Sequence, residues 1–293
     1  MSIRIAAAQY PIDRVTDFAA YAAKLRKWVA AAAGAQLLLF PEYAGLELSS
    51  VCPGDACTSL PRQLAAVQAQ LENFLELHRA LARESGAYIL AGSIPVAVAG
   101  QYRNRAYFFS PSGAMDFQEK LMMTRFENED WCVCRGDTLK VFMTALGPIG
   151  VNVCYDVEFP LFAQRQVEAG ARLLLVPCCT DTLAGYHRVS IGARARALEN
   201  QVFVASAATV GDAPWNPALD INIGAAGIFG PVDRGFPDDG IIRAGALNEP
   251  VWVMGDCELQ RLDVVRDNGQ VRNFRDWELS ARVAAAPIKI TKL

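Results

Sequence analysis

Two short apolar runs, each closed by a proline, constrain this chain most: Leu37-Leu38-Leu39-Phe40 before Pro41, and Leu173-Leu174-Leu175-Val176 before Pro177. A run of strand length with no polar break reads as a buried strand. Ile149 to Val153 has the same character and ends at Cys154, where an acidic, proline-marked turn leads into the helical-looking stretch Leu161 to Ala169. Strand and helix signals alternate around these runs, which makes the chain α/β.

In chain order, Ile3 to Gln9 reads as a first strand and Asp17 to Ala33 as an alanine-rich helix stopped by Gly34. Leu48 to Ser59, rich in Ser, Cys, Pro and Gly, reads as a loop. From Arg62 to Ser85 the apolar residues Leu64, Val67, Leu71, Phe74, Leu75 and Leu81 recur at helical spacing, with His78 on the helix surface or at an interface. Tyr88 to Pro95 is a strand, and Arg105 to Ser110 forms a hairpin through Pro111-Ser112-Gly113. Val189 to Asn200 reads as a helix in which Arg196 and Glu199 are three residues apart and can pair. Gln201 to Ala208, Gly224 to Phe229, Pro250 to Gly255 and Glu258 to Val265 supply further strands. No linker or charge block divides the halves, so residues 1–293 are expected to form a single domain. From about Val271 an irregular tail is expected to pack on the body or on a second subunit.

Composition removes several functions. A net charge of -3 with no basic tract gives no attraction to nucleic acid or anionic lipid. No apolar stretch approaches the roughly 20 residues of a membrane span, and the N-terminus lacks the apolar core of a secretory signal. A cytoplasmic protein is expected. The eight cysteines show neither the paired spacing of a zinc site nor the export context of a disulfide framework, so no metal is expected.

Three reactive side chains each follow a predicted strand: Glu42, Lys120 and Cys154. The carboxyl ends of strands line the ligand crevice of open α/β sheets, so a carboxylate, an amine and a thiol can meet there. A thiol of ordinary pKa, about 8.5, is only a few per cent ionised at neutral pH and needs a base or a nearby cation to act as a nucleophile. Glu42 can take the proton, Lys120 can stabilise the developing charge, and the backbone N–H of Tyr155 is the natural second donor to an oxyanion.

The contexts of these residues are Phe40-Pro41-Glu42-Tyr43-Ala44-Gly45, Glu119-Lys120-Leu121 onward to Glu127, and Val153-Cys154-Tyr155-Asp156 with Phe159-Pro160 beyond. Tyr102-Arg103-Asn104-Arg105 precedes the lysine, and Arg194 to Gln201 with Gly211 follows the cysteine. In this order, and over nearly the whole chain, the set resembles the carbon–nitrogen hydrolase (nitrilase) superfamily. The resemblance implies a four-layer αββα sandwich that dimerises, and a Glu42, Lys120, Cys154 triad. It also implies hydrolysis of a small-molecule C–N bond through a thioester, without a cofactor. A second pocket glutamate is common in the family. An ungapped match makes it Glu127, whereas the spacing to Trp131 and Gly136 makes it Glu129; Glu127 is taken first, with Glu129 as the alternative.

Trp131, Cys179 in the Pro177 to Thr182 turn, and Arg188 are candidates for the pocket wall, because specificity varies most in loops. Two departures from the family pattern are Met122, where a histidine is frequent, and Cys178-Cys179, where a serine is common. Nitrilases proper carry Trp-Glu after the cysteine; Tyr155-Asp156 here favours an amide, ureide or carbamoyl bond. The competing enzymatic reading pairs Cys154 with His187, and the non-catalytic reading is a binding member of the family.

Overall fold

The computed structural model describes residues 2–51, 59–131 and 133–293. Cys52, Cys57, Cys132 and most of the expected Leu48 to Ser59 loop therefore lie outside the described residues, while Ala44–Val51 forms a 3-10 helix.

The chain opens with β1 (Ser2–Pro11), α1 (Phe18–Ala31), β2 (Leu37–Leu39), α2 (Leu60–Ala69), α3 (Leu71–Ser85) and β3 (Tyr88–Val98). It continues through β4 (Gln101–Phe109), β5 (Met115–Glu119), α4 (Arg125–Glu129), β6 (Val133–Cys134), β7 (Val141–Thr144) and β8 (Gly147–Val151). Next come α5 (Pro160–Glu168), β9 (Leu173–Cys178), α6 (Leu183–Asn200), β10 (Phe203–Asp212), β11 (Ile221–Asn222) and β12 (Gly227–Phe229). The last are β13 (Ile241–Ala244), β14 (Val251–Glu258), α7 (Leu259–Asn268) and α8 (Asn273–Ala284).

Pairing makes two leaves. One runs β5-β4-β3-β2-β1 with β14 antiparallel to β1, and the other runs β7-β8-β9-β10 with β12 and β13 beyond. They join where β1 changes neighbour, leaving β14 at Gln9 and continuing beside Ala208 to Val210 of β10. Alternation along β1 sorts the layers. Ile3, Ile5 and Ala7 face a core shared with Ile149, Val151 and Leu175 of the other leaf, whereas Ala6, Ala8 and Tyr10 pack under α1 and α3. Val167 of α5 and Val189 and Ala193 of α6 cover the far side. The result is helix, sheet, sheet, helix. The two apolar runs are the buried strands β2 and β9, parallel to β1 and β10 respectively.

Several expectations are corrected. Of the expected strand Glu258 to Val265 only Glu258, the end of β14, is extended; from Leu259 the chain is helical, because Leu259, Leu262 and Val265 are buried at three-residue spacing while Val264 is exposed. The expected irregular tail contains α8, which lies on the end of α6 through Trp277 Nε1–H to the Glu199 carbonyl, 2.9 Å. The long helix from Arg62 to Ser85 breaks at Gln70 into α2 and α3. His78 is buried, not superficial: one turn beyond Phe74, it sits among Phe40, Phe74 and Phe109, with Nδ1 2.9 Å from the Phe74 carbonyl oxygen. Burial holds its pKa down at about 4, so it stays neutral. Finally, the helix expected from Val189 begins at Leu183, where the Thr182 side chain caps the Gly185 N–H, so α6 includes His187.

Candidate active site

Glu42 sits just past β2, in a turn held by β3. Phe40 N–H bonds the Leu90 carbonyl, and Tyr43 N–H bonds Ser93 Oγ at 2.8 Å. Between them β3 shifts register against β4, and Gly92 at φ +73° makes room. A Cβ at Gly92 would stand 2.1 Å from the Pro41 carbonyl oxygen, so only glycine lets the Glu42 turn come this close.

Lys120 directly follows β5, with its N–H on the Asn104 carbonyl of β4 at 2.9 Å. Cys154 begins the 3-10 helix Cys154–Glu158 after β8. It adopts φ +50°, a left-handed conformation uncommon for a residue with a side chain and typical of strained functional turns. From above, α6 clamps this turn: Gly192 lies against Val157, and buried Arg196 donates to the Val157 carbonyl at 2.9 Å while pairing with Glu199.

The three side chains meet at the floor of one cleft of about 590 Å³. Lys120 Nζ donates to Glu42 Oε1 at 2.8 Å and to Glu127 Oε2 at 2.5 Å, all three being almost fully buried. Asn104 Nδ2 also donates to Glu42 Oε1, at 2.9 Å. The Cys154 thiol donates to the Cys179 carbonyl oxygen at 3.6 Å and lies close enough to Glu42 for each to perturb the ionisation of the other. Glu127 is fixed from three sides: Tyr43 Oη–H at 2.6 Å on Oε1, and the Thr124 N–H and hydroxyl, each at 2.9 Å, on Oε2.

The remaining candidates separate. Trp131, Tyr155, Cys179 and Arg188 line the cleft, with Trp131 packed on Tyr43 at 5.1 Å between ring centroids. Arg188 is largely exposed and approaches Glu158 at 3.5 Å. Glu129 points away into solvent and pairs with Arg125. His187 is exposed, on α6, beside Tyr186 and off the cleft wall. Asn104, Tyr43 and Thr124, which touch this network, and Asp156, which accepts from the backbone beside it, carry no role in the sequence pattern above.

The electrostatics divide the carboxylates. Burial pushes Glu42 up to about 7, against the pull of Lys120. For Glu127, burial is outweighed by Lys120 and by the hydrogen bonds from Lys120, Tyr43 and Thr124, so its carboxyl is held below the usual range. Burial works against charge on Lys120, but Glu127 and Glu42 together keep its ammonium firmly protonated. Burial, then the neighbouring Glu42, pushes the Cys154 thiol well up, with Lys120 pulling back. The resting sulfur is therefore a thiol facing a base rather than a standing thiolate. Burial likewise pushes Cys179 up to about 12, which keeps it a poor nucleophile.

Comparison with known proteins bears on this geometry. The model of the carbon–nitrogen hydrolase family matches residues 4–245. The chain is 34% identical over 276 residues to the probable hydrolase YhcX of Bacillus subtilis (strain 168), covering 94% of this chain and 53% of that one. It thus spans about half the length of that relative. To omega-amidase NIT2 of Xenopus tropicalis it is 29% identical over 208 residues, 68% of this chain and 71% of that one. Among solved structures it is similar to a glutamate-to-glutamine variant of the amidase from Nesterenkonia sp. AN1, which carries the Michael adduct of acrylamide at its active-site cysteine. That likeness has a TM-score of 0.64 at 25% identity and covers 90% of this chain and 99% of the other.

Proposed function

The chain belongs to the carbon–nitrogen hydrolase family, and from that premise we propose that it hydrolyses the C–N bond of a small linear amide or N-carbamoyl compound, with Cys154 as nucleophile. The observation that carries this reading is the convergence of Glu42, Lys120 and Cys154 at the floor of one cleft, whose volume suits a small molecule. The omega-amidase and amidase relatives, and the adduct on the cysteine of the latter, support it.

In this reading Glu42, as carboxylate, takes the proton from Cys154 while the sulfur bonds to the carbonyl carbon. The oxygen becomes an oxyanion met by the Lys120 ammonium and the Tyr155 N–H, which lies in a first helical turn where no intrahelical acceptor exists. Protonated Glu42 returns its proton to the leaving nitrogen, the C–N bond breaks, and ammonia or an amine departs from a thioester. Water then attacks the thioester carbon, giving its proton to Glu42. Collapse releases the carboxylic acid and restores the thiol. Glu127 holds Lys120 through a second ion pair. Tyr155-Asp156 after the cysteine supports an amide over a nitrile.

A homodimer belongs to the same reading, supported by Leu161 on α5 and Ile191 on α6, which expose apolar side chains. No helix among the described residues is long and apolar enough to cross a membrane. A nucleophilic thiol near further free thiols suits a reducing compartment, which supports a cytoplasmic location.

The test is ammonia or amine release from a panel of primary amides, N-carbamoyl compounds and N-acyl amines, with mass spectrometry of the trapped acyl adduct. Turnover is expected to vanish in Cys154→Ala, and the acyl mass to sit on the peptide containing Cys154. Since Glu42 must be ionised to act and its carboxyl is held at about 7, kcat/KM is expected to rise with pH up to about 7 and then level. An adduct on another residue, or full turnover by Cys154→Ala, would end the reading.

A further inference from the structure

One buried carboxylate beside the site has no part in these steps. Asp156 is 1% exposed, and each hydrogen bond it accepts comes from backbone. Its Oδ1 takes the Met122 N–H at 2.7 Å and shares the Leu121 N–H, 3.1 Å, with Oδ2, which also takes the Val153 N–H at 3.1 Å. Leu121 and Met122 directly follow Lys120, and Val153 directly precedes Cys154. The Asp156 N–H in turn bonds the Val153 carbonyl at 3.1 Å, closing the turn that holds Cys154 at φ +50°. One side chain thus grips the backbone on both sides of the gap that the substrate carbonyl must enter.

We propose that Asp156 is a positioning residue, which sets the distance between the Lys120 ammonium and the Cys154 sulfur by tying the backbone after the lysine to the backbone before the cysteine. This role rests on the reading of Lys120 and Cys154 as a working pair, given above, and adds how the pair is spaced. A carboxylate suits the task because it only accepts, and three N–H groups converge on its two oxygens. Asparagine offers one acceptor oxygen, and its amide N–H₂ would face a backbone donor. Burial pushes the Asp156 carboxyl up to about 7, with Lys120 and the three N–H groups pulling back.

The test uses two backgrounds. Asp156→Asn is expected to lower kcat roughly 100-fold, the scale of an ångström of misplacement, with KM within about threefold. Alkylation of Cys154 by iodoacetamide, followed by intact mass, is expected to slow as well, because the thiolate loses the nearby ammonium. In a Lys120→Gln background the same substitution is expected to change the alkylation rate by less than about twofold, since the cation it displaces is gone. An undiminished effect of Asp156→Asn in the Lys120→Gln protein means a structural role only and overturns the proposal. So does an Asp156→Asn protein that alkylates and turns over at the original rate. If Asp156→Asn fails to fold, Asp156→Glu, which keeps both acceptor oxygens at a longer reach, is read the same way in both backgrounds. Alkylation needs no amide substrate. A protein inactive on every amide therefore removes the functional reading, while the coupling between residues 156 and 120 is still measured.

Discussion

Lys120 keeps its charge almost out of reach of water because two carboxylates share the work of compensating it. Neither alone would suffice, since a buried charge that loses a partner is costly. The pair also differ in character, Glu42 held near neutrality and Glu127 held ionised, a separation that distinguishes a proton carrier from a fixed anion. Glu127→Gln is expected to cut kcat by about 10²-fold or more, whereas Glu129→Gln, on an exposed partner of Arg125, is expected to stay within about twofold. Steady-state kinetics on one responsive amide decides it. One signal that separates these acids lay in the sequence but went unused beside the ungapped match and the spacing to Trp131. Thr124-Arg125-Phe126-Glu127 is a capping box, and in the structure the Thr124 N–H meets the Glu127 carboxylate while the Glu127 N–H meets the Thr124 hydroxyl. Asp156 was not legible as a tie, because its partners are backbone groups more than thirty positions upstream as well as the nearby Val153.

At the scale of elements, the irregularity in β3 matters more to the site than any regular strand. Gly92 combines φ +73° with the closest approach to the Glu42 turn, so Gly92→Ala must both strain the backbone and push Pro41 away. It is expected to cost about 1–3 kcal/mol or more and to lower the melting temperature by several degrees. Turnover per folded molecule should fall too, as Glu42 moves; circular dichroism melts with kinetics on the folded fraction would show both. Strands β2 and β9 were readable because they are buried along their lengths and leave uninterrupted apolar runs, as does the buried end of β8; β5, half-exposed, leaves no such run. Glu258 to Val265 misled for the opposite reason. Val264 is apolar but exposed, and it obscures the three-residue spacing of Leu259, Leu262 and Val265. The helix α8 buries no side chain fully, and the helical spacing of Phe274 and Trp277, which dock it on the body, was passed over.

For the whole molecule, the seam at Gln9 decides whether two leaves behave as one body. Its side chain is fully buried, donating to the carbonyls of Ala246 and Glu249 at 2.8 and 2.5 Å and accepting the Ala226 N–H at 3.0 Å. Gln9→Ala would strand the buried Ala226 N–H and take the donor from two carbonyls that water can reach, and an expected loss of about 1–3 kcal/mol follows from the unpaired buried group. Chemical denaturation should show a lower midpoint with a single transition; two separate transitions would mean that the leaves unfold apart. This seam could not be read from residues, since it depends on which strand lies beside β1 after Gln9. The layered architecture itself came from the family resemblance, and α/β alternation was all that periodicity supplied. The groups proposed to do the chemistry leave the ends of β2, β5 and β8, whereas much of the cleft wall comes from stretches such as Thr180 to Val189 and Pro217 to Ile221. Chemistry and appetite are thereby written in different stretches of the chain, so grafting new rims onto an untouched floor is the natural route by which such a scaffold acquires another diet.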